Sequence, residues 1–267
     1  MALTALFSAA TGMQAQETNI DVIANNIANV NTTGFKKASA NFQDLLYQQL
    51  SPAGPMDASG NRVPVESAVG LGVQLVNTQR DFSQGRLELT NRPLDAAIEG
   101  KGFFQVQLPN DLGRGGFGFT RDGNFSIDAD GNLVTSQGYK VQPNIVIPSD
   151  AVAVSIGQDG TVNVQTPTSA ALTQVGQIQL AYFTNPEGLE SAGQNLYVET
   201  PSSGNPLAGT PGTGPLGILQ SNYLESSNVE LVEELVNMIR AQRAFEFNSQ
   251  SIKTADEMLQ VVANLRR

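Results

Sequence analysis

Three short segments contain residue types that could bind an ion or a phosphate group. Residues 113–118 are glycine-rich, residues 128–132 begin like a calcium-binding loop, and Glu233 and Glu234 are adjacent carboxylates. The glycine-rich segment lacks the Lys-Ser/Thr pair and the following helix of a phosphate-binding loop. The acidic segment lacks a Glu at the twelfth loop position. We therefore interpret the three segments as a surface loop, a hairpin turn and a solvated helix surface.

The composition excludes most catalytic and metal chemistry. The 267 residues include no His and no Cys. Without His there is no imidazole base, and without either residue zinc, iron–sulfur and haem sites have essentially no ligands. The carboxylate, Lys, Tyr and hydroxyl groups that remain form no set of acid, base and nucleophile. The sequence predicts no enzyme activity, no cofactor and no metal. A carboxylate-using hydrolase is an alternative for which no pair of residues can be assigned.

The charge balance also limits the partners. The chain has 25 acidic and 15 basic residues and a net charge of −10. Binding a nucleic-acid backbone or an anionic membrane surface requires clustered Lys and Arg. The sequence has no apolar run of about 18 residues, the length that a spanning helix needs. Residues 1–15 lack Lys and Arg, so we expect no cleaved signal peptide. The prediction is no nucleic-acid partner, no membrane insertion and, for any work outside the cytoplasm, another route of export.

Residues 1 to about 30 are predicted to form a helix that ends near Gly34. A seven-residue apolar repeat runs through it: Leu6, Met13, Ile20 and Ile27. Between residues 1 and 35 the only charged side chains are Glu17 and Asp21. A solvated helix face normally carries many charges, whereas uncharged amides and hydroxyls suit a surface that is buried among neighbouring copies.

A second long helix is predicted at the other end of the chain, with Ser227 or Asn228 as its N-cap. Leu235 lies on a broad apolar face of this helix. On the same face, apolar residues again recur every seven residues: Leu231, Met238, Phe245, Ile252 and Leu259. These five residues could contribute roughly 8–15 kcal/mol on burial. Ordering some 35 residues costs about 1–2 kcal/mol each. A two-helix unit is therefore marginal alone, and we expect the termini to become ordered when several copies pack.

The middle of the chain is predicted to be β structure. Short runs with period-two alternation occupy residues 73–200, and Asp122-Gly123, Asp130-Gly131 and Asp159-Gly160 have the form of hairpin turns. Two Pro/Gly-rich stretches flank this region. The predicted organisation is an N-terminal assembly helix and extension (1–50), an extended interaction segment (51–72), a central β domain (73–200), a flexible connection (201–217) and a C-terminal assembly helix (218–267).

The expected fold class is therefore α+β. The two terminal helices pack together as a coiled-coil-like domain, and a central antiparallel β-rich domain lies between them in sequence. Two alternatives remain open on periodicity alone. One is an ordinary intramolecular coiled-coil stalk, and the other is a secreted binding module whose coiled coil only trimerises.

Specific motifs in both terminal segments resemble those of bacterial flagellar rod and hook axial proteins. Residues 24–36 read ANNIANVNTTGFK, and residues 227–239 with 242–246 are similar to the matching C-terminal signature. Residues 98–104, 120–125 and 188–197 are similar to the central domain of the same family. The N-terminal signature positions are Asn25, Asn26, Asn29, Asn31, Thr32, Thr33, Gly34 and Phe35.

This resemblance implies a structural subunit, most like the distal-rod members of the family, with a proximal-rod or hook-type paralogue as the alternative. Such subunits polymerise into a hollow helical drive shaft that transmits motor torque to the hook. The implied partners are further copies of the chain, other rod and hook proteins, the surrounding basal-body rings and the export apparatus. The implied location is the basal-body rod in the periplasm, reached by type III export without a cleaved signal peptide.

Overall fold

The computed structural model describes residues 2–51, 66–108, 114–167 and 169–265. The fold is α+β, as the sequence predicts, with a helix near each end and an antiparallel β-rich region between them in sequence. The chain divides into two compact units. The first, here called the helical unit, comprises Met1–Ala28, Ala38–Gln79 and Glu230–Arg267. The second, the β unit, comprises Asn29–Lys37 and Arg80–Val229.

The helical unit is built around helices α1 (Ala2–Ala28) and α2 (Leu231–Leu265). The two helices run antiparallel, because Gly12 lies against Asn248 whereas Asn26 hydrogen-bonds to Glu234. Four strands belong to the same unit: β1 Ala38–Asp44, β2 Tyr47–Ser51, β3 Ser67–Gly70 and β4 Val73–Arg80. Strand β1 pairs with β4, and β2 pairs with β3. The last residue of β4, Arg80, is assigned to the β unit.

The β unit contains a six-stranded sheet with the strand order β15-β16-β8-β7-β14-β17 and a three-stranded sheet with the order β11-β12-β13. Neighbouring strands in these two sheets pair antiparallel. Three strand pairs complete the described part of the unit: β5 with β19, β6 with β18 and β9 with β10. The strands are β5 Leu87–Leu89, β6 Ala96–Glu99, β7 Phe103–Gln107, β8 Phe117–Thr120, β9 Phe125–Ile127, β10 Leu133–Thr135, β11 Ala153–Ile156, β12 Thr161–Thr166, β13 Ser169–Gln177, β14 Leu180–Tyr182, β15 Glu190–Gly193, β16 Leu196–Val198, β17 Leu207–Gly209, β18 Ile218–Ser221 and β19 Tyr223–Glu225.

The β unit has its own apolar core. One cluster of buried side chains includes Phe104, Phe125 and Leu180, and a second includes Phe119 and Tyr197. Aromatic rings in both clusters meet edge to face, for example Phe104 and Phe125 with centroids 5.0 Å apart. This core explains how the unit holds its short strands in place.

Two of the three predicted hairpin turns are present. Asp130-Gly131 joins β9 to β10, and Asp159-Gly160 joins β11 to β12, with a left-handed glycine in each turn. The prediction for Asp122-Gly123 was wrong, because β8 and β9, which flank it, belong to different sheets. Gly123 there approaches the backbone of Ala96 too closely for a side chain.

Several segments differ from the predicted organisation. Among the described residues of 218–267 only Leu231–Leu265 is helical, and β18 and β19 occupy Ile218–Ser221 and Tyr223–Glu225. The extension predicted after the first helix, within residues 1–50, contains β1 and most of β2, and β17 lies in the predicted connection. Within the predicted irregular segment 51–72, residues 67–70 form β3, and residues 52–65 lie outside the described residues.

The N-cap prediction for α2 was also wrong. The helix begins at Leu231, and its first turn is closed by a hydrogen bond from the Glu234 amide to the Glu230 carbonyl, 3.0 Å. The Asn228 amide oxygen instead accepts from the Lys37 backbone at 2.8 Å, and its Nδ2 donates to the Asp81 carbonyl at 2.9 Å. Asn228 therefore holds together two chain segments of the β unit.

Candidate assembly interface

The contact between α1 and α2 is made mainly by small and polar side chains, together with the buried Ile23. In α2 the inner positions recur every seven residues, all but the half-buried Asn248 being buried: Glu234, Ala241, Asn248 and Ala255. In α1 two such columns face inward and are buried or half-buried: Ala9, Gln16 and Ile23, and Gly12, Asn19 and Asn26. A Cβ added to Gly12 would lie 2.8 Å from Nδ2 of Asn248. The small side chains thus permit a close approach of the two helices.

The large apolar side chains of α2 lie mainly on the side that faces away from α1. Four residues in its first turns form what we call the outer cluster: Val232, Leu235, Val236 and Ile239. Val232 is 74 % exposed, and Phe247, two turns after Ile239, is 71 % exposed. An open groove of about 390 Å³ adjoins the cluster and is lined by Val232, Val236 and Arg240, among others. Contiguous exposed apolar residues of this kind mark an interaction surface.

The predicted seven-residue repeats flank the intramolecular contact rather than form its centre. In α1, Leu6, Met13, Ile20 and Ile27 are all half-buried. In α2, Met238 and Ile252 are half-buried, whereas Leu231, Leu235, Phe245 and Leu259 are exposed. The predicted repeats do not include the buried columns, because the repeats consist of large apolar residues and the columns consist mainly of alanine, glycine and amide residues.

A second apolar groove of the helical unit adjoins α1. Its volume is about 440 Å³, and Phe7, exposed on α1, forms part of its wall. The remaining lining residues are uncharged: Thr11, Gln14, Ala15, Thr18, Leu45, Val73, Gln74 and Leu75. The helical unit therefore presents uncovered apolar surface on α1 as well as on α2.

The N-terminal signature residues divide between the two units. Asn26 is buried in the helical unit, where its Nδ2 donates to the Ala38 carbonyl at 2.8 Å and its Oδ1 accepts from the Ala38 amide at 3.0 Å. One side chain thus satisfies both backbone groups of Ala38 at the start of β1. Asn25 and Asn31 are exposed, and Asn29 and Thr32 are half-buried. The Thr32 hydroxyl donates to Oδ1 of Asn29 at 3.1 Å.

Gly34 and Phe35 are buried in the β unit. The Gly34 amide donates to the Glu225 carbonyl at 2.7 Å, and its φ of +67° is the left-handed conformation that favours glycine. A Cβ at this position would lie 2.6 Å from the backbone nitrogen of Asp122. Thr33 is half-buried, and its hydroxyl donates to Oδ1 of Asp122 at 3.1 Å. The signature glycine is therefore required by both backbone conformation and space.

A buried ionic cluster in the β unit was not anticipated from the sequence. Lys36 Nζ donates to Oε1 of Glu225 at 2.6 Å and to the Ser83 carbonyl at 2.6 Å. Arg121 Nη1 lies 3.3 Å from Oε2 of Glu225, and the Gly85 amide donates to Oε1 of Glu225 at 2.8 Å. The cluster joins the segment after the signature, the strand β19 and the loop after β8. No local sequence signal connects residues so far apart in the chain.

Burial changes the proton affinity of several of these groups. It lowers the pKa of Lys36 and of Arg121, and the negative charge of Glu225 opposes both shifts. Burial raises the pKa of the Asp122 carboxyl, an effect that hydrogen bonds from the Asn124 amide and the Thr33 hydroxyl oppose. The ion pairs and hydrogen bonds of these groups link segments of the β unit that are far apart in the chain.

Two features are absent from the described residues, a metal-binding cluster and a membrane-spanning helix. No cluster of three or more acidic, His or Cys side chains in this part of the chain is placed to hold a metal ion. Neither α1 nor α2, as far as they are described, combines the length and the hydropathy of a membrane-spanning helix. The prominent surface of the helical unit is the exposed apolar one.

The chain is similar along its whole length to proteins of the bacterial flagellum. Residues 6–36 match "Flagella basal body rod protein", residues 97–164 match "Flagellar hook protein FlgE/F/G D1 domain", and residues 220–265 match "Flagellar basal body rod FlgEFG protein C-terminal". It is 47 % identical over 267 residues to the flagellar basal-body rod protein FlgG of Borreliella burgdorferi, covering 99 % of both chains. The chain belongs to the flagellar basal-body rod and hook protein family.

Two further relatives place the chain within this rod and hook family. The FlgG rod protein of Caulobacter vibrioides is 47 % identical, with 99 % of this chain and all of the relative covered. The flagellar hook protein FlgE of Escherichia coli is 27 % identical over an alignment of 424 positions, covering 98 % of this chain and 100 % of the relative. The rod members are the more similar of the two groups, and the chain is accordingly a structural rod protein of the flagellar basal body.

Proposed function

We propose that the chain is the subunit of the distal rod, which polymerises into a hollow helical shaft that transmits motor torque to the hook. The observation that carries this proposal is the distribution of side-chain size in the helical unit. The helices use alanine, glycine and amides against each other and leave valine, leucine, isoleucine and phenylalanine outside. Full burial of each large side chain would contribute about 1.5–3 kcal/mol. That free energy becomes available only when other copies cover the surface.

The predicted interface residues fit this proposal. Leu6, Met13, Ile20 and Ile27 of α1, with Leu231, Leu235, Met238, Phe245, Ile252 and Leu259 of α2, are exposed or only half-buried in one chain. In the polymer we infer that they pack with neighbouring copies in a coiled-coil-like manner around the inner tube. The segment 51–72 is proposed to contact neighbouring subunits as well. A torque shaft needs many such contacts and no catalytic group.

The family membership supports the remaining partners and the location. Rod and hook proteins are the proposed axial neighbours, with the basal-body rings around the shaft in the periplasm. Subunits are proposed to reach that place through the flagellar export apparatus, without a cleaved signal peptide. We propose no enzyme activity. The proximal-rod and hook-type roles remain the alternatives, and the lower identity to the hook relative disfavours the second.

Electron microscopy of the purified full chain at increasing concentration tests the proposal. Tubes with helical symmetry are the expected product, and circular dichroism should show helicity rising as they form. Discrete small oligomers at every concentration would instead support a binding module. Val232→Ser with Val236→Ser should prevent tube formation. Val152→Ser provides a matched control, because Val152 is an exposed valine of the β unit. Tubes from the double variant at the wild-type concentration would contradict the role of the outer cluster.

A further inference from the structure

The exposed faces of α1 and α2 differ in both side-chain size and charge. On α1 a stripe of exposed positions recurs at alternating intervals of three and four residues and begins with the large side chain of Phe7: Phe7, Ala10, Gln14, Glu17, Asp21, Ala24 and Ala28. We call this the acidic stripe, because its only two charges are negative and most of its other side chains are alanine. A stripe of small side chains forms a shallow groove along a helix.

The exposed face of α2 carries large apolar side chains and charges of both signs. The outer cluster supplies the large apolar side chains, and Arg240 and Arg243 follow it within the next turn. Two exposed carboxylates, Glu233 and Glu246, lie beside these residues. Both arginines are exposed. Arg243 pairs with Glu246 at 2.8 Å, an exposed pair of the kind that contributes little to stability and is readily exchanged. We call this face the basic ridge.

The acidic stripe is poorly suited to meet a second acidic stripe, which would bring four carboxylates together with no cation between them. Two basic ridges would bring their four guanidinium groups together beside the carboxylates of Glu246. One stripe against one ridge pairs opposite charges and places large side chains over small ones. Contacts between two different surfaces are also those that generate open helical polymers, whereas a surface that meets itself closes a dimer.

The spacing along the helices is compatible with this pairing. The middle of the outer cluster and the two arginines are about six residues apart, roughly 9 Å along a helix. The middle of Glu17 and Asp21 is about seven residues from the middle of Ala24 and Ala28 in one direction, and equally far from the middle of Ala10 and Gln14 in the other. The cluster therefore meets two alanines in one relative direction of the helices, and one alanine with the longer Gln14 in the other.

Resting on the proposed function, we propose that the acidic stripe of one copy docks on the basic ridge of the next, with Glu17 and Asp21 facing Arg240 and Arg243. The ion pairs set which copy of α1 meets which α2, and the apolar contact supplies most of the affinity. The partner of the outer cluster is thus a second copy of this chain.

Charge reversal in the full chain tests the pairing. Glu17→Lys with Asp21→Lys, and separately Arg240→Glu with Arg243→Glu, should each raise the critical concentration for polymerisation at least about tenfold, which corresponds to about 1.4 kcal/mol. A mixture of the two reversed proteins should polymerise near the wild-type concentration, because each then offers the other a complementary face. A single protein that carries all four substitutions should also polymerise near the wild-type concentration.

A control separates this effect from net charge. Asp128→Lys with Asp130→Lys, in the exposed β9–β10 turn, changes the net charge as much as Glu17→Lys with Asp21→Lys does. It should leave the critical concentration within about threefold of wild type, which corresponds to a free-energy change of less than about 0.7 kcal/mol. A circular dichroism spectrum of each variant monomer that matches the wild-type spectrum excludes misfolding. If a reversed variant does not fold, Glu17→Gln with Asp21→Asn replaces it and should make polymerisation less salt-dependent.

If wild type forms tubes but charge reversal has no effect on them, or if the mixture of reversed proteins does not recover polymerisation, the proposed pairing alone is overturned. Absence of wild-type tubes would instead contradict the proposed function.

Discussion

Lys36 Nζ and Glu225 Oε1 are 2.6 Å apart, and neither side chain is exposed to solvent. With Arg121 on the other carboxylate oxygen, the cluster contains two cations and one anion. Removing the Glu225 carboxylate takes from both buried cations the counter-charge that they contact, which is costly in a medium of low dielectric constant. Glu225 is therefore the member on which the cluster depends most.

Glu225→Gln should lower the free energy of unfolding by about 3–5 kcal/mol. Lys36→Met is the matched comparison, because it removes one of the two cations and leaves the Arg121–Glu225 pair neutral; it should cost clearly less. Urea unfolding of the full chain, followed by the near-ultraviolet signal of the buried Tyr197, measures both. Equal costs would mean that the carboxylate has no special role.

Gly34→Ala should destabilise the β unit by more than the conformational cost alone. A left-handed alanine costs roughly 1–2 kcal/mol, and the new Cβ would also lie 2.6 Å from the Asp122 backbone nitrogen. Gly204→Ala isolates the first effect, since Gly204 also has a positive φ but has no atom within 4 Å of its added Cβ. A comparison of unfolding midpoints decides the matter, and identical losses would show that space at Gly34 is unimportant.

Asn26→Ala should destabilise the helical unit, because it leaves the amide and the carbonyl of Ala38 without their partner. An unsatisfied buried backbone group costs about 1–3 kcal/mol. Asn31→Ala, at an exposed signature position, should change stability by less than about 0.5 kcal/mol. Thermal unfolding monitored by helical circular dichroism gives both values. A loss at Asn31 as large as that at Asn26 would refute the bridging role.

The raised pKa of Asp122 should make the stability of the protein depend on pH. Its pKa is raised in the folded state, so the folded protein binds this proton more tightly than the unfolded chain. The resulting stabilisation is complete below the ordinary value of 3.8 and is lost as the pH rises through the folded pKa. Wild type should therefore gain stability relative to Asp122→Asn as the pH falls from 7 towards 4. Urea unfolding at several pH values measures this difference, and a constant difference would contradict the shift.

Ala241→Leu should push the two helices apart. Ala241 is buried in the inner column of α2, and inserting a larger side chain into a packed contact costs about 1–3 kcal/mol. Val236→Leu, in the exposed outer cluster, should be nearly neutral in the monomer. Melting of dilute protein followed by helical circular dichroism compares them. Tolerance of leucine at position 241 would show that the contact is looser than its geometry indicates.

Periodicity predicted the two helices and the β region correctly, because both signals are local and repeated. It did not identify the inner columns, since Ala241 and Asn26 carry no hydrophobic signal and are buried only because their partners also have small or matching side chains. It also could not find the cluster of Lys36, Arg121 and Glu225, which depends on chain segments far apart in sequence. Asp122-Gly123 has the letters of a hairpin, but packing against Ala96 places it between two sheets.

The small inner columns have a consequence for how the subunit resists proteases. The helix pair buries mainly alanine and amide side chains besides Ile23, so we expect it to open at a lower cost in free energy than the β unit, which has its own aromatic core. In dilute solution α1 and α2 should be cleaved first and the β unit should survive as a trimmed fragment. Once copies cover the outer faces, mass action favours the closed pair, and the same bonds become protected. Susceptibility to cleavage thus reports directly whether a subunit has been incorporated.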